Sequence, residues 1–139
     1  MAQQNNIAIY AEAIQAQLQS ITSAIPVYQN FNRNYATEPV FVTWQLRNVH
    51  QPVYTGSIQS NKGIDRPIFQ ISCFATRASD CYDLANTIIQ ALHGYSGLFG
   101  GSTYGFGISK ADVQMLYTSY DDATAMHQIF MDCTLDIPT

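Results

Sequence analysis

An α+β domain, with two helices on one face of a mixed or antiparallel sheet, is what the sequence predicts. Three patterns carry that expectation. Apolar residues recur in steps of three and four over two stretches, they alternate at period two over others, and turn-forming residues stand between. The expected order is α-β-β-α-β-β with two long loops, all within residues 1–139 as one domain; a chain of 139 residues is about one core's worth.

The first helix covers Ile7, Ala11, Ile14, Leu18 and Ile21, a single stripe at helical spacing. Asn5 or Asn6 offers a cap, and Pro26 stands past its end, where a helix cannot continue. Pro39 then opens a strand at 40–47, in which Val40, Val42, Trp44 and Leu46 share one face. Residues 48–66 hold Pro52, Gly56, Gly63 and Pro67 just beyond, and read as the first long loop. A second strand follows at 68–75. Thr76 is placed to cap a second helix at 77–92, whose stripe is Cys81, Leu84, Ala85, Ile88 and Leu92, with Gly94 as its stop. Residues 94–107 contain six of the eight glycines and read as the second long loop, carrying Tyr95, Phe99, Tyr104 and Phe106. The chain closes as a hairpin, 108–120 and 126–137, turning at Asp121-Asp122-Ala123-Thr124. In its last strand Ile129, Met131, Cys133, Leu135 and Ile137 face the core, and Asp132 and Asp136 fall on the opposite, wet face. Trp44, Ile71, Ile88 and Leu135 are expected in the core.

Composition narrows the function. Only 12% of residues are charged, about half the usual share, while nine Tyr and seven Phe are present. Aromatic enrichment with depleted charge is the mark of surfaces buried in an assembly. The net charge of −4, with six scattered Lys and Arg, argues against a nucleic-acid-binding module. No apolar run is long enough to span a membrane, and Met1-Ala-Gln-Gln-Asn-Asn lacks the basic start of a signal peptide. Three cysteines without an export signal point to reduced thiols in a cytoplasmic setting.

Catalytic patterns are weak. Gly105-Phe106-Gly107 runs into Ile108-Ser109-Lys110 and a strand, where a phosphate loop needs Gly-Lys-Ser/Thr opening a helix. His50, His93 and His127 stand singly, with no metal-ligand spacing among them or the cysteines. No catalytic, cofactor or metal site is expected, although a Cys–His pair meeting in space stays open as a small cytoplasmic thiol enzyme.

Two segments carry a resemblance. Residues 66–76 (RPIFQISCFAT) lead into a helix that closes on Ala91-Leu92-His93-Gly94, and Pro39-Val40-Phe41-Val42 opens the preceding strand. Together with the alternating last strand they resemble the tail-completion or tail-terminator proteins of long-tailed bacteriophages. The second helix has less Ala and Glu than is usual in that family, and 94–107 is long. The resemblance implies a non-enzymatic ring subunit, usually in six copies, capping the tail tube and meeting the head connector. Its partners would be copies of itself, the tube protein, the connector and duplex DNA passing without specific binding, with no membrane involved. It would reside in the virion neck after assembly in the host cytoplasm. A stopper or adaptor ring of similar fold is the alternative within that class. An adaptor binding a peptide at its sheet edge is a further one.

On this view the two loops form the subunit and tube interface, through Tyr54, Ile58, Lys62, Asp65, Arg66, Phe99, Tyr104 and Phe106. They would be mobile in the free chain, and shortening 97–105 would spare the fold. Asp132 and Asp136 would make an acidic lumen or wet face.

Overall fold

A computed structural model describes residues 7–54 and 63–138, with the side chains of residues 50–54, 63 and 104 left aside. Helix α1 (Ile7–Thr22) leads into a short strand β1 (Val27–Gln29), then β2 (Val40–Tyr54), β3 (Gly63–Ala75) and helix α2 (Ala78–Leu92). A small excursion follows, made of β4 (Gly97–Phe99), a helical turn α3 (Gly101–Tyr104) and β5 (Phe106–Ile108). Strands β6 (Lys110–Asp121) and β7 (Met126–Pro138) complete the chain.

The main sheet has the order β1-β2-β3-β7-β6. Strand β1 runs parallel to β2, and every other neighbour is antiparallel, so the sheet is mixed as expected. Both helices pack on one of its faces. Val42 and Trp44 of β2, Phe69, Ile71 and Cys73 of β3, and Ile129, Met131, Cys133 and Leu135 of β7 supply the floor of that core. The expected core residues Trp44, Ile71, Ile88 and Leu135 are all buried. Period two puts alternate side chains on opposite faces, so one register assignment settles five strands together.

The two helices compare unequally with their stripes. In α2 the buried residues are Cys81, Leu84, Ala85, Ile88 and Leu92, the whole expected stripe. Its N-cap is Arg77, one residue beyond Thr76, and it makes no side-chain cap bond. In α1 the buried face is Tyr10, Ala13, Ile14, Leu18 and Thr22. Ile7 is 64% exposed, so the helix is turned from the face that hydrophobicity alone selects. Tyr10 draws it round, because its hydroxyl donates to the carboxylate of Asp65, itself fully buried at the start of β3. The expected caps at Asn5 and Asn6 lie outside the described residues.

Neither expected loop holds over its described residues. Of 48–66, residues 55–62 lie outside the described residues, and the rest is an antiparallel arm in which β2 and β3 stay paired as far as Tyr54 and Gly63, with two register shifts. The second segment is an ordered excursion: β4 and β5 pair antiparallel, and α3 joins them. Phe99 and Phe106 are buried, and Phe106 meets Tyr10 edge-on at 5.5 Å between ring centres. Two aromatic side chains inside a glycine-rich run seek the core, and the glycines supply the turns that bring them there. At Gly100 (φ 97°) the backbone lies so close to α1 that a Cβ would stand 2.7 Å from that of Ala13. The Gly100 amide donates to Gln17 Oε1 at 2.9 Å. The expectation that 97–105 can be shortened without harm to the fold is therefore overturned.

Candidate interaction surfaces

The sheet face turned away from the helices divides into an aromatic half and a polar half. Along the aromatic half Phe41 stacks on Phe74 (4.8 Å between ring centres), Phe74 meets Phe130 edge-on, and Phe130 stacks on Tyr117 (4.7 Å). Registry explains the row: Phe41 is opposite Phe74, and Tyr117 is opposite Phe130, on strands that alternate in step. Residues 30–39 approach this half, leaving a groove of about 390 Å³ lined by Phe31, Asn32, Tyr35, Phe41, Phe74 and Met126 among others.

The polar half holds two ion pairs. Arg47 Nη1 lies 2.7 Å from Asp132 Oδ2, and Arg66 Nε lies 2.7 Å from Asp136 Oδ1. The second is nearly two-pronged, with Arg66 Nη2 at 3.4 Å from Oδ2. Asp136 is buried and Asp132 half-buried, each joined to a guanidinium. The patch expected as an acidic lumen or wet face at Asp132 and Asp136 thus has each carboxylate paired with a guanidinium. The carboxylates sit where period two puts them; sequence separations of 70 and 85 hid their partners.

The remaining expected interface residues scatter. Phe99, Phe106 and Asp65 are buried within the subunit and offer no area to a neighbour, because each is taken up by core packing or by Tyr10. Arg66 is engaged with Asp136. Tyr54 ends β2 and Tyr104 ends α3, their side chains undescribed, and Ile58 and Lys62 lie outside the described residues.

No thiol has the surroundings of a nucleophile. Cys73, Cys81 and Cys133 are all buried and free. Burial pushes Cys81 up to about 11 and Cys133 up to about 12, and raises Cys73 as well. Cys81 Sγ lies 3.4 Å from the carbonyl oxygen of Cys73 and 3.6 Å from that of His127, both backbone acceptors. His93 Nδ1 accepts from the Val113 amide at 3.1 Å, so its 3.5 Å approach to Asp112 is not an ion pair through that nitrogen. Among the described residues no group of three His, Cys, Asp or Glu side chains is placed to hold a metal, and no helix is long and apolar enough to cross a membrane.

The exposed apolar residues gather elsewhere. Met115, Leu116, Tyr117 and Tyr120 are 40–55% exposed on β6, the strand at the sheet's margin. The uncharged run Gln-Met-Leu-Tyr-Thr-Ser-Tyr at 114–120 was visible in the sequence, but its place at an edge was not.

No protein-family model matches the chain, and no curated protein does. Solved structures do. A chain of the virion of a native gene transfer agent particle aligns with a TM-score of 0.56 at 13% identity, over 94% of this chain and 92% of its own. The sheath/tube terminator of an extracellular contractile injection system, PVC, in its extended state aligns with a TM-score of 0.56 at 11% identity. That match covers 99% of this chain, which spans 58% of the terminator's length. The chain shares its fold with a gene transfer agent virion component and with a sheath/tube terminator, and this agrees with the tail-terminator resemblance of its sequence.

Proposed function

We propose that the chain is a non-enzymatic structural subunit of a phage tail or tail-like particle. It assembles with copies of itself into a ring, of six copies by the family resemblance, that caps the tail tube and joins it to the head connector. Duplex DNA passes through the ring, and the protein resides in the virion neck after assembly in the host cytoplasm. The observation that carries this reading is the fold shared over 99% of the chain with a sheath/tube terminator. The charge-poor composition and the exposed apolar margin at Met115, Leu116, Tyr117 and Tyr120 support it, since such surface is normally covered by a partner. A connector ring of similar fold is the nearest competing role, and tube binding separates the two.

Mass photometry of the purified chain, alone and mixed with the cognate tail-tube protein, is the test. A closed oligomer that binds tube ends is expected. A chain that stays monomeric in both conditions overturns the reading, and a ring that ignores the tube but binds the head connector favours the connector role.

A further inference from the structure

The sheet has two margins, and they differ in how the backbone is covered. On β6 the first half is closed: the Gly94 amide donates to the Ala111 carbonyl (2.8 Å), the Ala111 amide to that of Tyr95 (2.9 Å), and the Val113 amide to the His93 ring. Beyond Val113 that cover stops. Residues 114–120 are all exposed, carry no charge and contain neither Gly nor Pro. Natural edge strands are blunted by lysine, proline or bulges, and an unprotected apolar edge is a template for another strand. Here the only such device within 114–120 is the register shift between Met115 and Tyr117.

The opposite margin is also half covered. Strand β1 pairs with β2 only at Val42, Thr43 and Trp44, and the Asn30 amide closes the Trp44 carbonyl. From Gln45 onward no described strand lies on that side of β2. The two margins complement each other in charge. Strand β2 has no acidic residue and carries Arg47, already paired with Asp132, whereas the exposed stretch 114–120 of β6 is bounded by Asp112, Asp121 and Asp122.

We propose that successive copies of the chain join edge to edge, the outer half of β6 in one copy pairing with β2 from Gln45 onward in the next. The inference rests on the ring reading and gives that ring its contact. Strands β2, β3, β7 and β6 alternate in direction, so a second β2 laid beside β6 runs antiparallel to it and continues the alternation. Two different surfaces meet in such a contact, and a head-to-tail contact is the kind that closes into a ring. Backbone hydrogen bonds and the side chains of Met115, Leu116 and Tyr117 hold it, and the acid-free margin of β2 receives the acidic ends of β6 without like-charge repulsion.

Amide hydrogen exchange on the assembled and the free chain tests it directly. In the assembly, amides within both 114–120 and 45–49 are expected to slow at least about tenfold, the change a modest binding free energy produces. Leu116→Lys, at a 40% exposed position, is expected to leave thermal melting nearly unchanged and to weaken assembly by about tenfold or more. Assembly with 114–120 exchanging at the free-chain rate overturns the edge contact and leaves the ring reading standing. Protection of 114–120 without 45–49 also overturns it, and points to a two-fold β6–β6 contact or another protein's strand. Failure to assemble at any concentration, with or without tube protein, removes both the ring and its contact.

Discussion

Gly100 shows at residue scale how the absence of a side chain lets two elements meet. It combines a left-handed backbone (φ 97°) with a 2.7 Å approach to Ala13 Cβ, so Gly100→Ala adds strain and a clash at one point. A loss of roughly 1–3 kcal/mol is expected in urea unfolding, with no change in slope. Tyr10 is the partner anchor of α1. Burial, then the hydrogen bond and charge of Asp65, raise its hydroxyl well above the usual tyrosine value, keeping it a donor to that carboxylate at ordinary pH. Tyr10→Phe leaves a buried carboxylate one donor short and is expected to cost on the order of 1–3 kcal/mol. The thiols supply a pH signature. Cys81 is held protonated in the fold from its ordinary value of 9.0 up to about 11, whereas the unfolded chain releases that proton near 9. The unfolded state then binds fewer protons, so stability is intact below pH 9 and falls between about 9 and 11, by roughly 1.4 kcal/mol per unit for each such thiol. Denaturant melts across that window measure it. At neutral pH, thiol probes are expected to label all three cysteines only after unfolding.

At the scale of elements, β7 pairs on both sides, with β3 and β6, and supplies Ile129, Met131, Cys133, Leu135 and Ile137 to the core. Leu135→Ala is expected to cost about 2–5 kcal/mol, from transfer and cavity together. The excursion formed by β4, α3 and β5 makes a sharper claim. Phe99 is fully buried, so Phe99→Ala is expected to cost about 3–5 kcal/mol, where a free loop would lose almost nothing. Thermal or urea unfolding of the two variants separates these outcomes. Strand β7 and helix α2 were legible because one periodicity runs through each without interruption. Helix α1 was legible as a helix and misplaced in rotation, since the Tyr10–Asp65 bond joins residues 55 apart. The excursion was hidden for a different reason. Glycine marks chain reversal, and nothing local distinguishes a mobile reversal from one whose aromatics drop into a core. Strand β1 was missed because three residues carry no period. The site suffered most from this: Arg47, Arg66 and the β6 margin acquire meaning only from strand order, which is a long-range property.

At the scale of the whole molecule, charge sets how strongly the chain can hold duplex DNA. Duplex binding gains its affinity by releasing counterions from phosphates, which takes several unengaged cations on one surface. The chain has six Lys and Arg in all, and two of them, Arg47 and Arg66, already face Asp132 and Asp136. The partnering matters more than the count. A guanidinium must leave its carboxylate to reach a phosphate, and the carboxylate left behind repels the same phosphate. Each paired arginine therefore contributes little to DNA affinity, while the net charge of −4 opposes approach over the range at which salt does not screen it. The proposed ring, with DNA passing through it, would be served by such a surface, since tight phosphate contacts would hold the duplex in place. The expected outcome is no retention of duplex DNA by the free chain in fluorescence anisotropy at moderate salt. The double variant Asp132→Asn and Asp136→Asn frees both guanidinium groups and is expected to produce weak binding that vanishes as salt rises. Binding by the unaltered chain, with a salt dependence reporting several released ions, would show that other cations form a phosphate-binding surface. The proposed ring would then grip DNA and not merely let it pass.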